Sequence, residues 1–249
     1  MVARNISEYL NIVKDIILKP NLVCWFRGHA NENWELKPTI WRYYNRELER
    51  NINHEFLWKA KSRSKNLPVD KDWSGWLSLM QHFGLPTRLL DWSKSPLIAL
   101  YFAIQDFNQK NEALYDAAIW TLFPGKLNVY SGIEDLIYSI YNETARKMIE
   151  PAFINPIYAA ENEKIIAVSA VETDLRMLTQ QSAFTIHSST DSLSNYAIQA
   201  NCLNKIIIPK ESLKEISLEL DILGFKPSTI FPDLENLAKE LILRYKSFS

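Results

Sequence analysis

A chain of 249 residues with 28 Lys and Arg against 29 Asp and Glu carries a net charge of −1, so it has no global attraction for nucleic acid or an anionic membrane. A hydrophobic fraction of 47% and an aromatic fraction of 12% exclude a disordered chain and predict a compact fold. Residues 1–100 hold 15 basic against 10 acidic side chains and the remaining 149 hold 13 against 19, enough for a mildly positive cleft but far from the basic stripe of a dedicated DNA binder.

The two cysteines, Cys24 and Cys202, lie in apolar runs, so neither a disulfide framework nor a CxxC metal site is indicated and a cytoplasmic setting is expected. The first residues mix charge with apolar side chains at helical spacing, and no window reaches membrane-spanning length, which predicts a protein with no membrane partner.

In chain order, Ser7 can cap a helix through about Leu18 that Pro20 ends, a scaffold helix occupying residues 1–20. NLVCWFRG (21–28) reads as a buried strand that delivers Arg27 to a sheet edge. Residues 45–66 and 70–83 read as helices, the second stopped by Gly84. LPTRLLDWS (85–93) reads as a loop, followed by a helix that Ser95 and Pro96 open and whose run LIALYFAI is apolar all round.

Strands are predicted at 117–123, 164–170, 183–188 and 205–209, where branched residues concentrate, and helices at 211–223 and 233–245. Strands and helices do not alternate regularly, so the expected fold class is α+β in one domain over residues 1–249, with a core from 22 to 245.

Three clusters can carry chemistry. In WFRGH (25–29), an arginine at a strand end presents a fork of five donors to a phosphate or carboxylate, with Gly28 and His29 beside it; a structural ion pair is the plainer alternative. In HFGLPTRLLDWS (82–93), His82, Arg88, Asp91, Trp92 and Ser93 could line a cleft, Trp92 offering a ring wall. Asp91 or Ser93 could equally cap the next helix. In RMLTQQSAFTIH (176–187), Arg176, Gln180 and Gln181 precede a strand-like run, where the glutamines can bond ligand hydroxyls or merely satisfy backbone groups. The histidines at 29, 54, 82 and 187 lack metal-site spacing, so no metal is predicted. No GxSxG, P-loop or GxGxxG occurs, and six glycines leave little for a phosphate-cradling loop.

The sequence resembles the FRG-domain family, named for the aromatic-Arg-Gly motif that here is Phe26, Arg27 and Gly28. The likeness extends through QHFGLPTRLLDWSKSPLIALYFA (81–103), RMLTQQSAF (176–184) and STIFPDLENLAKEL (228–241). Its motif order is similar to that of the ADP-ribosyltransferases: an arginine ending an early strand, a hydroxyl residue before an apolar helix, and a polar residue opening a late strand. The resemblance implies a mixed or antiparallel split sheet with flanking helices, and NAD consumed as substrate. It implies catalytic roles for Arg27, Ser93 and Gln180. Arg27 would orient NAD, Ser93 would support the nicotinamide ribose, and Gln180 would stand where that family places the glutamate that stabilises the oxocarbenium ion. The ligand would meet Arg27, Gly28, His29, His82, Arg88, Asp91, Trp92 and Phe184.

Glutamine cannot supply negative charge, and Glu161, Glu163 and Glu172 are the upstream carboxylates. The function implied is a mono-ADP-ribosyltransferase-like toxin or defence effector. Its partners would be a nucleotide ligand, an acceptor macromolecule (protein or nucleic acid) and a regulating protein such as an antitoxin. The alternatives are a non-catalytic nucleotide- or nucleic-acid-binding module and a metal-dependent hydrolase or nuclease using His82 and Asp91.

Overall fold

A computed structural model describes residues 1–18, 23–110, 112–155, 163–171 and 175–246. Pro20, Glu161 and Glu172 lie outside them. Seven strands form one sheet: β1 Trp25–His29, β2 Leu89–Ser93, β3 Ala117–Leu122, β4 Tyr138–Ser139, β5 Ile165–Ser169, β6 Ser182–His187 and β7 Leu203–Ile208. Their order across the sheet is β4-β5-β6-β2-β1-β3-β7, with β4 parallel to β5 and every other pair antiparallel. The fold is therefore α+β, a mixed sheet with helices on both faces, as expected.

Side-chain alternation assigns the two faces. Ile165 and Ala167 enter one apolar cluster with the Ile6–Leu18 and Pro96–Ala103 helices, whereas Ile166 and Val168 enter a second with the Arg46–Ala60, Trp73–His82 and Glu143–Ile149 helices. A strand covered on both faces loses the polar and apolar alternation that marks a half-exposed one.

That loss explains the one major difference from expectation. Residues 85–93, read as a loop, contain β2 at the centre of the sheet, where Leu89 serves the second cluster while Leu90 and Trp92 serve the first. Pro86, Arg88 and Asp91 suggest a loop, but five registered pairs with β6, from Leu89↔Ile186 to Ser93↔Ser182, hold the segment extended.

Smaller shifts have local causes. The first helix is capped by Asn5, whose side chain accepts from the Glu8 N–H at 2.8 Å, instead of by Ser7. The helix expected from 70 starts at Trp73 because the Asp72 side chain caps it, and it ends before Gly84 at φ +77°, a conformation glycine adopts without penalty. Ser95 caps the Pro96–Ala103 helix as expected, accepting from Ile98 N–H at 3.4 Å.

Two contacts seat this last helix. The Tyr9 hydroxyl donates to the Pro96 carbonyl at 2.9 Å, and β1 crosses the helix so closely that a Cβ on Gly28 would overlap the Ala99 carbonyl oxygen and the Ala103 amide nitrogen. Gly28 therefore serves helix–sheet packing as well as lining the cavity described below.

The seam between β1 and β2 is the opening in the sheet. These strands share one registered pair, Phe26↔Ser93, whereas β1 shares five with β3 and β2 shares five with β6. Beyond that pair the two strands part, and a cavity occupies the gap.

Candidate active-site cleft at the sheet seam

The cavity measures about 430 Å³, within the range of small-molecule sites. Arg27 and Gly28 from β1, Asp91, Trp92 and Ser93 from β2, and Gln180 and Ser182 at the start of β6 contribute to its wall. All three residues expected to be catalytic, Arg27, Ser93 and Gln180, thus face one space although 153 positions of chain separate the first from the last.

Arg27 is held from two sides. Its Nε donates to His29 Nε2 at 3.2 Å and its Nη1 to the Asp91 carbonyl at 2.7 Å, spanning the gap that the parted strands leave; the Asp91 carboxylate lies 3.9 Å from Nη1. Nη2 has no protein partner among the described residues. Burial pulls the guanidinium pKa below its ordinary value, Asp91 opposing this and Arg42 adding to it, so an anion in the cavity would relieve a desolvated cation. His29 lies behind the cavity wall. Burial, with the Arg27 charge second, pushes its pKa down to about 3, which keeps the ring neutral and able to accept the Arg27 N–H.

Asp91 is 56% exposed at its side chain, and its Oδ2 accepts from Gln81 Nε2 at 2.7 Å. Gln81 Oε1 in turn accepts from the Thr87 hydroxyl at 2.5 Å, so the carboxylate sits on a short polar chain anchored in the Trp73–His82 helix. Sequence reading missed Gln81, whose role depends on a contact ten positions away.

Ser93 and Gln180 meet, but not side chain to side chain. The Ser93 hydroxyl donates to the Gln180 main-chain carbonyl at 2.8 Å and accepts from the Ser95 N–H at 3.0 Å. One lone pair of the oxygen is left and no proton. The Gln180 carboxamide donates to the Ile230 carbonyl at 3.2 Å, tying the C-terminal segment against the cavity.

Besides His29, four expected contacts, Arg88, Trp92, His82 and Phe184, are placed differently. Arg88 does not line the cavity: it is 2% exposed, bonded to both carboxylate oxygens of buried Glu49 at 2.9 and 2.6 Å and to the Met148 carbonyl at 2.8 Å. Arg88 sits at a bend before β2, outside the strand's alternation, and its side chain runs to the Arg46–Ala60 and Glu143–Ile149 helices. Trp92 touches the cavity, yet its ring is 3% exposed and its Nε1 donates to Thr185 Oγ1 at 3.1 Å, which makes it core instead of a stacking wall. The exposed ring is Trp34, 44% accessible and edge-on to His29. His82 and Phe184 line a small recess of about 50 Å³ that shares Gln81, Asp91, Arg176, Gln180 and Ser182 with the main cavity.

Elsewhere, Arg46 reaches Glu163 at 2.5 Å, which removes that carboxylate to the far helical layer. Among the described residues no three His, Cys, Asp or Glu side chains gather as metal ligands, and no helix is long and apolar enough to cross a membrane. Cys24 and Cys202 are buried thiols that burial pushes up to about 12 and about 11, which makes them core residues without nucleophilic character.

An α+β domain with a polar cavity where its central strands part is the class that the fold and the site define. The family model of the FRG domain matches residues 23–112, and this part of the chain is an FRG domain. The matched span contains Arg27 and Ser93 and ends before Gln180. No curated protein and no solved structure matches the chain.

Proposed function

We propose that the protein is an NAD-consuming mono-ADP-ribosyltransferase acting at the seam cavity. The observation that carries this reading is the convergence of Arg27, Ser93 and Gln180 on one cavity at the parting of two central strands. The reaction would break the glycosidic bond of NAD, send its electron pair onto nicotinamide, and join the ribosyl carbon to an acceptor oxygen or nitrogen that gives up a proton. Arg27, with Nη2 free, would take a phosphate or ribose oxygen. Ser93 would orient a ribose hydroxyl through its one remaining lone pair. Gln180 would hold the C-terminal wall in place.

The negative charge that glutamine lacks is available from Asp91, whose Oδ1 has no partner among the described residues and which could face the positive charge developing on the ribose. Incubation with labelled NAD and cell extract tests the reading: label transfer or nicotinamide release should fall at least 100-fold in Arg27→Ala and in Asp91→Asn. Absence of both products with the unaltered protein overturns it.

A second reading, a non-catalytic nucleotide-binding module, is favoured by the engagement of the Ser93 hydroxyl proton and the Gln180 carboxamide within the protein. It predicts calorimetric binding of ADP-ribose without turnover, and product formation counts against it.

A further inference from the structure

Arg176 lines both the main cavity and the recess beside it, and neither the FRG-domain match nor the catalytic reading gives it a role. It has no carboxylate partner among the described residues, unlike Arg27 with Asp91 at 3.9 Å. Its guanidinium carbon stands 4.9 Å from the centroid of the Phe231 ring. That ring packs edge-on against Phe102, another residue of the cavity wall, with centroids 5.9 Å apart.

The backbone around Arg176 is tied to the same wall. Its carbonyl accepts from the Gln180 N–H at 2.9 Å, and Gln180 reaches across to the Ile230 carbonyl. Phe231 follows directly in the chain, so Arg176 and Gln180 grip adjacent residues of the C-terminal segment. A guanidinium laid over an aromatic face keeps its five donors free at its own edge and has already given up much of its rotamer freedom, the condition under which a charged contact gains most on binding.

We infer that Arg176 is the second cation of an anion clamp with Arg27, and that the ligand of this cavity carries two adjacent anionic groups, as the pyrophosphate of a dinucleotide does. The inference deepens the nucleotide reading and rests on it. A single phosphate would satisfy Arg27 and leave Arg176 without an anion; a pyrophosphate offers oxygens to both. The Asp91 carboxylate on the cavity wall suits hydroxyl groups, since it would repel a phosphate. Sequence reading could not assign Arg176, because its partner ring lies 55 positions away on the C-terminal segment.

Calorimetric titration of the full chain with ADP-ribose, AMP and adenosine tests this, using Arg176→Ala and Arg176→Lys. The side chain is exposed, so neither change should disturb the fold, and an unaltered melting temperature checks that point. The unaltered protein should prefer ADP-ribose to AMP. Arg176→Ala should weaken ADP-ribose about 10- to 100-fold, leave AMP almost unchanged, and lower the salt dependence of ADP-ribose binding; Arg176→Lys should recover part of the loss. Equal ADP-ribose affinity in Arg176→Ala and the unaltered protein overturns the clamp, as does failure of the unaltered protein to bind ADP-ribose. ADP-ribose binding that depends on Arg176, in a protein that releases no nicotinamide from NAD, upholds the clamp and overturns the transferase reading. Nicotinamide release unchanged in Arg176→Ala has the opposite meaning.

Discussion

The hydroxyl of Ser93, at the end of β2, donates to the main-chain carbonyl of Gln180, two residues before β6, and so fixes the corner from which the cavity opens. Ser93 is 5% exposed, and losing its oxygen would strand the Gln180 carbonyl and the Ser95 N–H together. Ser93→Ala is expected to cost about 1–3 kcal/mol by denaturant midpoint, most of which Ser93→Thr should restore. A substitution without stability loss would show that the hydroxyl is not the corner's latch.

Arg88 and Glu49 form an ion pair inside the protein, 2% and 0% exposed at the side chain. Removing one partner leaves a buried charge unpaired, so Arg88→Met alone should cost about 3–5 kcal/mol. Arg88→Met with Glu49→Leu should recover most of that loss, since two apolar groups of similar size avoid the desolvation cost. A double variant as unstable as either single one would contradict this. Equilibrium unfolding of the three variants makes the comparison.

His29 and His187 are both buried, and burial first, with the Arg27 charge second, pushes each pKa down to about 3. In the unfolded chain they titrate near 6.5, so between about pH 6.5 and pH 3 the unfolded state binds up to two more protons than the folded one. The stability these neutral rings support is complete above about pH 6.5 and is lost as pH falls toward 3. The slope should approach about 1.4 kcal/mol per pH unit for each ring. In His187→Gln the slope measured by unfolding at stepped pH should drop by close to one proton.

A Cβ at position 28 has nowhere to go but into the backbone of the Pro96–Ala103 helix. Gly28→Ala should therefore destabilise by about 1–3 kcal/mol and push the helix away from β1, as overpacked sites do. Ligand affinity measured under conditions where the variant remains folded should fall as well, because Arg27 rides on the same strand. An unchanged melting curve would refute the close packing.

Much of the site was legible because it is local. Ser95-Pro96 at a helix start is written in consecutive residues, and the structure has it so, whereas Arg27, expected at a strand end, is the middle residue of β1, which pairs on through His29. The loop expected at 85–93 was not legible as β2, since a strand buried on both faces loses its alternation and owes its extended form to β6, 89 to 97 positions away. Trp92 and Arg88 were read from their chemistry alone, but β-pairing decides the face of Trp92 and turns its ring to Thr185, while Arg88, at the bend before β2, reaches the buried carboxylate of Glu49.

Composition, apolar periodicity and capping residues by themselves determined the α+β class, most element positions and which polar residues were worth watching, because those signals act within a few residues of chain. Only the tertiary structure decided that β1 and β2 part after one registered pair and that Gln180 turns its carbonyl, not its carboxamide, to Ser93. It alone laid Arg176 on Phe231 at the same cavity. These are contacts between segments 50 to 90 positions apart, set by how the sheet closes around its core, and no local pattern encodes them.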